Sequence, residues 1–342
     1  MAEHYTIRGG IDQSAQYKVE ETYGTIPTTF ATGSDTFGLV QSINKSVSRN
    51  LVKVRGLSGV LPALNTEKTS RDAQFILGGK TDLTVDVEFH PQTFSFLEYV
   101  WGSKSGTGPW NYPQATASTD TDKRKYLVLP SISIAEKFDF GGSGDAATHV
   151  LVYTGCKVNT FTMTAAIGEP IRCSLNFVGS DVNVVTADIA TKYPTKALAT
   201  TDPYHFIGSD VLIGATPYTN ILDGFEFTLE NNCEGIGDVR QYTNAYVTNK
   251  DRNFSLKIDG KLENITNIKQ MLGVASTGAI GAPIATLAIK LKFSNGVKLL
   301  EINLTNLKIA DAMPGISYGE VVSESVNLEA EYAYAVETTI VS

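Results

Sequence analysis

The chain carries one β-hairpin twice, and that duplication constrains its fold more than any other feature. In the first half, Asn159-Thr-Phe-Thr-Met is followed by a polar turn ending Ile167-Gly168-Glu169 and then the alternating run Ile171-Arg-Cys-Ser-Leu-Asn-Phe177. In the second half, Asn306-Leu-Lys-Ile309 leads through Tyr318-Gly319-Glu320 into Val321-Val-Ser-Glu-Ser-Val-Asn-Leu328. Matching Asn159 with Asn306 and Gly168 with Gly319 gives offsets of 147 and 151, so the two hairpins are expected to differ by four turn residues. A chain built twice from one β-unit points to a repeated structural part before it points to an enzyme.

The surrounding segments repeat in the same order. Residues 1–36 read as a polar arm, and Phe37–Val47 as a first strand. A long polar loop follows, from Gly56 to Gln74. Thr81-Asp-Leu-Thr-Val-Asp-Val-Glu-Phe89 alternates strictly and is the clearest half-buried strand. Gln92–Trp101 suits a short helix stopped by Gly102, and 103–124 reads as a low-complexity surface loop. Strands are expected over Tyr126–Ala135 and Ala147–Tyr153, then the hairpin from Lys157 to Val178.

In the second half the same series is Phe225–Leu229, a polar loop from Cys233 to Asn244, the strand Asn253–Asp259 and a helix over Asn264–Leu272 stopped by Gly273. A hairpin through Ser294-Asn-Gly296 and a last hairpin over Leu307–Tyr334 complete it. This organisation predicts an arm (1–36), a first domain (37–180), a linker (181–217) with one short strand near Val211, and a second domain (218–342). The fold class expected is mainly β, two tandem β-sandwich or half-barrel domains, each flanked by one short helix.

Hydrophobic residues at 42% and charged residues at 19% belong to a folded chain rather than a disordered one. A net charge of −8 argues against gripping nucleic acid through its phosphates. The start Met1-Ala-Glu-His-Tyr-Thr has neither a basic nor an apolar segment, so no secretion signal is expected there, and no apolar run is long enough to span a membrane. Cys156, Cys173 and Cys233 are too few and too irregularly spaced for a disulfide framework or a zinc site, and are read as reduced thiols.

No catalytic or metal constellation emerges. His4, His90, His149 and His205 stand at unrelated spacings. Asp120-Thr-Asp122 lacks the remaining ligands of a calcium loop, and Gly141-Gly-Ser-Gly-Asp145 reads as a hairpin turn. Nucleophile-elbow, dinucleotide and phosphate-loop motifs are absent, so no cofactor is expected and the chain is read as a non-enzyme. The two long polar loops are better functional candidates, because compact domains seldom keep such loops without a task. In the first, Glu67, Lys68, Arg71 and Asp72 offer mixed-sign contacts that set register against a neighbour. A competing reading is a carbohydrate-binding or adhesin-like β-sandwich using Trp101 and Trp110, taken as exposed, to stack on sugars.

The segment Val19-Glu-Glu-Thr-Tyr-Gly-Thr-Ile-Pro27, the strand Gly38-Leu-Val-Gln-Ser-Ile-Asn44 and the hairpin Gly155–Gly179 resemble the tail tube (major tail) proteins of tailed bacteriophages and archaeal viruses, most closely the two-domain kind. The resemblance implies a virion structural protein that stacks as rings, with DNA passing through the lumen unbound. It implies assembly in the host cytoplasm, other tail proteins as further partners, and no membrane. Three copies per ring with pseudo-sixfold symmetry are favoured over six, and a baseplate or terminator ring is the related alternative. The arm and polar loops would then supply the inter-subunit contacts, through Tyr23, Asn65, Glu67, Lys68, Arg71, Asp72, Asp238, Arg240 and Tyr242.

Overall fold

Alternating apolar and polar residues build almost everything observed. The computed structural model describes residues 13–55, 73–113, 128–139, 148–166, 168–205, 211–213, 216–217, 221–238, 243–261, 287–311, 314–315 and 322–340. Strands β1 (Gln13–Val19), β2 (Leu39–Arg55) and β3 (Ala73–His90) precede helix α1 (Leu97–Trp101). Then come β4 (Trp110–Tyr112), β5 (Ile132–Asp139), β6 (Thr148–Ala166), β7 (Arg172–Gly179) and β8 (Asp181–Val185). After helix α2 (Ile189–Lys192) follow β9 (Val211–Ile213), β10 (Thr216–Pro217), β11 (Ile221–Glu230), β12 (Glu234–Gly237) and β13 (Asn244–Thr248). The chain ends with β14 (Asn253–Lys261), β15 (Leu287–Ser294), β16 (Lys298–Asp311), β17 (Pro314–Gly315), β18 (Ser323–Ala330) and β19 (Tyr332–Thr339).

Each half contains two antiparallel sheets that share one long strand. In the first half an inner sheet runs β2-β3-β7-β6 and an outer one β1-β5-β6-β8. In the second half the inner sheet runs β11-β14-β18-β16 and the outer one β9-β15-β16-β19. The topology is the same twice, and so are the irregularities. Val158↔Phe177 and Thr160↔Asn176 flank a bulge, as do Ile309↔Leu328 and Asp311↔Asn327. Ile132↔Cys156 and Ile134↔Tyr153 flank another, matched by Leu287↔Leu307 and Ile289↔Leu304. A third lies between Val40 and Ser42, matched by Leu222 and Gly224. Bulges bend strands and re-aim side chains, so three coincident ones mark common architecture rather than shared hydropathy.

These registers correct the offset of 147. Val158 with Ile309, Cys156 with Leu307 and Gly168 with Gly319 all stand 151 apart, so Gly155, not Asn159, is the counterpart of Asn306. Both residues are left-handed, at φ 65° and φ 55°, where the long strand crosses between sheets. Asparagine is among the few residues besides glycine that tolerate this region. Side-chain similarity had aligned the two asparagines; backbone conformation overrules it.

Other sequence expectations need amendment. Ala147–Tyr153 and the hairpin strand after Lys157 are one strand, β6, just as β16 fuses two expected segments. The arm contributes β1, whose Tyr17 is buried. Within 103–124, β4 pairs with β19 and buries Tyr112, so that part is not surface loop. The expected polar loop from Cys233 contains β12 and the first residue of β13, which pair. Residues 181–192 form β8 and α2, and α2 places Ile189 and Tyr193 with Phe30, Val150 and Val152 on the outer sheet. Gln74 and its neighbour Ala73 belong to β3. Helix α1 ends as expected at Gly102, left-handed at φ 91°, whose N–H donates to the Glu98 carbonyl. The helix expected over Asn264–Leu272 lies outside the described residues.

At Gly155 a Cβ would stand 2.7 Å from Ser180 Cβ and 2.9 Å from the Tyr23 ring, besides the strain of positive φ. Gly155→Ala should therefore destabilise the unassembled protein by about 2–4 kcal/mol. Asn306→Gly, at the equivalent open site, should change stability by less than about 1 kcal/mol. Urea unfolding midpoints of the two variants check both expectations.

Candidate assembly surface

The two inner sheets are not separate. β11 pairs with β6 from Gly224↔Ala166 to Glu230↔Thr160, joining them into one sheet ordered β2-β3-β7-β6-β11-β14-β18-β16. One face of it is apolar: Val85, Val87, Phe161, Leu175, Phe227 and Leu256 are all buried. Burying each such side chain contributes about 1.5–3 kcal/mol. Trp101 closes this core over the joint. Its ring stacks on Phe227 at 6.2 Å, meets Phe161 edge-on at 6.1 Å, and its Nε1 donates to the Ala333 carbonyl at 2.9 Å. Trp101 is thus wholly buried, which removes it from any exposed sugar-stacking surface.

The opposite face is polar. Burial alternates residue by residue along β7, β14 and β18. Alternation and register assign to this face the acidic residues Asp82, Asp86, Glu88, Glu226, Glu230, Asp259, Asp311 and Glu329, which outnumber Lys157, Arg172, Lys257, Lys261 and Lys308. Several of the cations are tied down within the sheet, Arg172 to Glu88 at 2.7 Å and Lys257 to Asp259 at 3.0 Å. Asn176 Nδ2 donates to Asp86 at 2.6 Å, and Asn159 Nδ2 to Asn176 at 2.8 Å. The face presents hydroxyls, amides and a surplus of carboxylates.

Among the described residues the joined sheet ends in two open edges, β2 on one side and the β16–β17 segment on the other. Register identifies them with the two strands of the internal joint. β2 corresponds to β11, since Val40↔Phe89 and Leu222↔Gly260 precede matched bulges. β17 continues β16 as the end of β6 does, because Pro314 pairs with Glu324 where Met163 pairs with Cys173. Burial follows occupancy. Leu229 on the joined strand is 0% exposed, whereas its counterpart Val47 on the open edge is 42% exposed.

Chemistry diverges at these edges too. Lys45 of β2 points inward, both Glu136 oxygens accepting from its Nζ at 2.6 Å, and the Tyr153 hydroxyl also donates to Glu136 at 2.7 Å. The counterparts Phe227, Leu291 and Leu304 are buried apolar residues. An inward-pointing charge on one edge and Pro314 on the other are devices that keep open strands from pairing indiscriminately.

The β12–β13 hairpin of the second half lies against the first half. Ser180 Oγ donates to the Asn244 carbonyl, Asn244 Nδ2 to the Gly179 carbonyl, and Lys157 Nζ to the Tyr246 hydroxyl at 2.8 Å. Tyr23 belongs here, its ring 4.8 Å from that of Tyr246; burial raises its phenol pKa well above the usual value. Asp238 stands just past β12, at the hairpin tip. Asn65, Glu67, Lys68, Arg71, Asp72, Arg240 and Tyr242 lie outside the described residues. The edges themselves were missed in the sequence, although Lys45 interrupting an apolar alternation was a visible signal for one of them.

Among the described residues, the repeated β-unit leaves two strand edges that correspond to the two strands of its internal joint. The chain matches the family model for phage tail tube proteins over residues 10–330 and belongs to that family: it is a structural component of the virion tail. No curated protein matches it.

Removing the inward cation strands the buried Glu136. Lys45→Met should therefore destabilise the unassembled protein by about 2–4 kcal/mol. The double variant Lys45→Met/Glu136→Leu, which restores the apolar pairing of the second half, should recover most of that loss. Denaturant unfolding of the single and double variants measures it.

Proposed function

We propose that three copies close into a ring with pseudo-sixfold symmetry, that rings stack into the tail tube, and that the joined sheets line a channel through which DNA passes. The chain then counts as two tandem tail-tube domains, the internal β6–β11 joint alternating around the ring with an intermolecular joint of β16–β17 to a neighbour's β2. The carrying observation is the equivalence of those open edges to the strands already joined inside the chain. Transferring the internal register places Ser48 opposite Asp311 of the next copy, as Glu230 stands opposite Thr160. It also places Asn44 opposite Gly315, and Lys45 opposite Pro314.

Eight inner strands from each of three copies give about 24, and at roughly 4.8 Å spacing and 40° tilt the barrel is roughly 45–50 Å across at the backbone. A duplex fits inside once side chains are allowed for. The polar, carboxylate-rich face would be the lumen wall, and a weakly anionic wall repels phosphates instead of holding them. The hairpins fit the same scheme. Lys157 is 2% exposed beneath Tyr246, whereas its counterpart Lys308 is open to solvent. By the same pseudo-symmetry the outer end of the β2–β3 pairing, where Phe75 corresponds in sequence to Tyr246, would cover Lys308 of a neighbour.

The test is a pair of cysteines. Ser48→Cys with Asp311→Cys in one chain should crosslink between copies on oxidation, giving a ladder that stops at three chains on denaturing gels. Cα atoms of opposed antiparallel residues lie about 4.5–5.5 Å apart, within reach of a disulfide. A ladder running to six would replace the trimer with a hexamer. Assembled tubes that fail to crosslink would overturn the joint.

A further inference from the structure

The hairpin that the second half lays on the first ends over a lysine, and that lysine recurs next to the open edge of the second half. Lys157 is 2% exposed. Its Nζ donates to the Tyr246 hydroxyl at 2.8 Å and stands 4.0 Å from the centre of the Tyr246 ring and 5.8 Å from that of Tyr23. An ammonium group taken out of water is held here by ring faces and a hydroxyl. Across the inner ladder Lys157 lies opposite Val178, and its counterpart Lys308, 151 residues on, lies opposite Glu329. Lys308 is exposed.

Register locates what would cover it. Glu234↔Thr248, Gly235↔Val247 and Ile236↔Tyr246 in the second half reproduce Leu51↔Leu77, Val52↔Ile76 and Lys53↔Phe75 in the first, equivalent residues of β13 and β3 standing 171 apart throughout. The same spacing relates β14 to β3 along the inner sheets. The β2–β3 pairing thus carries an aromatic residue at the position from which Tyr246 reaches Lys157. The rest of the internal anchorage does not transfer. Asn244, whose Nδ2 donates to the Gly179 carbonyl, corresponds to Ala73. Ser180, whose Oγ donates to the Asn244 carbonyl, corresponds to Glu331, a carboxylate that accepts from Asn306 Nδ2 at 2.8 Å. Of these contacts only the one between lysine and an aromatic ring keeps both of its residue types.

We infer that Lys308 is the docking site for an aromatic side chain of a second copy, Phe75, and that this contact of ammonium with ring fastens the outer end of each junction between copies. The inference rests on the ring proposed above and gives one of its contacts a chemistry. Phenylalanine offers the ring face but not the hydroxyl of Tyr246, so the contact between copies is one hydrogen bond short of the contact within a chain. That shortfall makes the junction between copies the weaker of the two, and the first to part in denaturant. Glu329, across the ladder, is the competing partner for Lys308.

Amine labelling of the full-length protein, read by peptide mass spectrometry before and after assembly, tests it. Relative to Lys257 on the same face, Lys308 should react readily in the subunit and about tenfold more slowly in tubes. Lys157 should react slowly in both. Phe75→Ala should return Lys308 in tubes to its rate in the subunit. The crosslink between Ser48→Cys and Asp311→Cys should form in that variant too, because the inner seam does not use residue 75. Two variants that keep a bulky side chain give a second reading. In urea, tubes should dissociate in the order Phe75→Leu, wild type, Phe75→Tyr, the last supplying the missing hydroxyl. Crosslinked tubes in which Lys308 labels as in the subunit would overturn the contact and leave the ring standing. So would slow labelling that survives Phe75→Ala, which would give the cover to Glu329 or another group, and so would any other order of dissociation. Tubes that fail to crosslink with Phe75 intact would instead remove the ring, and this contact with it.

Discussion

The ladder between β6 and β11 is the constraint on which the rest depends. It is a backbone pairing between two halves that already satisfy their own internal pairings, and it turns two four-stranded inner sheets into one sheet with a single polar face. Backbone hydrogen bonds alone contribute modestly in water. The joint is made durable by what lies over it, Trp101 wedged between Phe161 and Phe227 and hydrogen-bonded to a carbonyl of β19. One residue from the first half thus touches both inner sheets and the second outer sheet. It is one of several side chains that make the core continuous across the two halves, Phe161 and Phe227 also meeting directly at 6.2 Å.

Duplication preserved the backbone more faithfully than the side chains. The bulges, the left-handed residue at the strand crossing and the sheet order recur, and along the shared long strand they keep one spacing. The contacts between layers do not. Where the second half uses Phe227, Leu291 and Leu304, the first uses Lys45, Glu136 and Tyr153. An ion pair in which one partner, Glu136, is buried gains little over an apolar contact of similar size once desolvation is counted. The exchange therefore says less about stability than about location, since it sits on the open strand and not on the joined one.

Much of this was legible in the residues. Period-2 alternation located β3, β7, β14 and β18, and Gly102 marked the end of α1, because those signals are local. Two kinds of feature were not local. The fusion of β6 across Gly155 depends on a left-handed residue that keeps the strand going where composition suggested a break. The burial of Trp110–Tyr112 depends on a partner strand more than 220 residues away, so a Gly- and Pro-flanked segment looked like loop. The asparagine pairing failed for a related reason: identical side chains were matched where the φ angle was the conserved quantity. Of the proposed contact residues, Tyr23 is now placed, packed on Tyr246 inside one chain.

The inward lysine of β2 and the proline of β17 have a consequence for the life of the free subunit. Exposed strand borders invite fibrous clumping when a polypeptide is abundant and newly made. A cation that must stay bonded to Glu136, and a residue with no N–H to offer, make both borders poor hosts for strangers. In the proposed ring the molecule would accumulate without sticking to whatever strand it meets, and a match in register would become the condition for association.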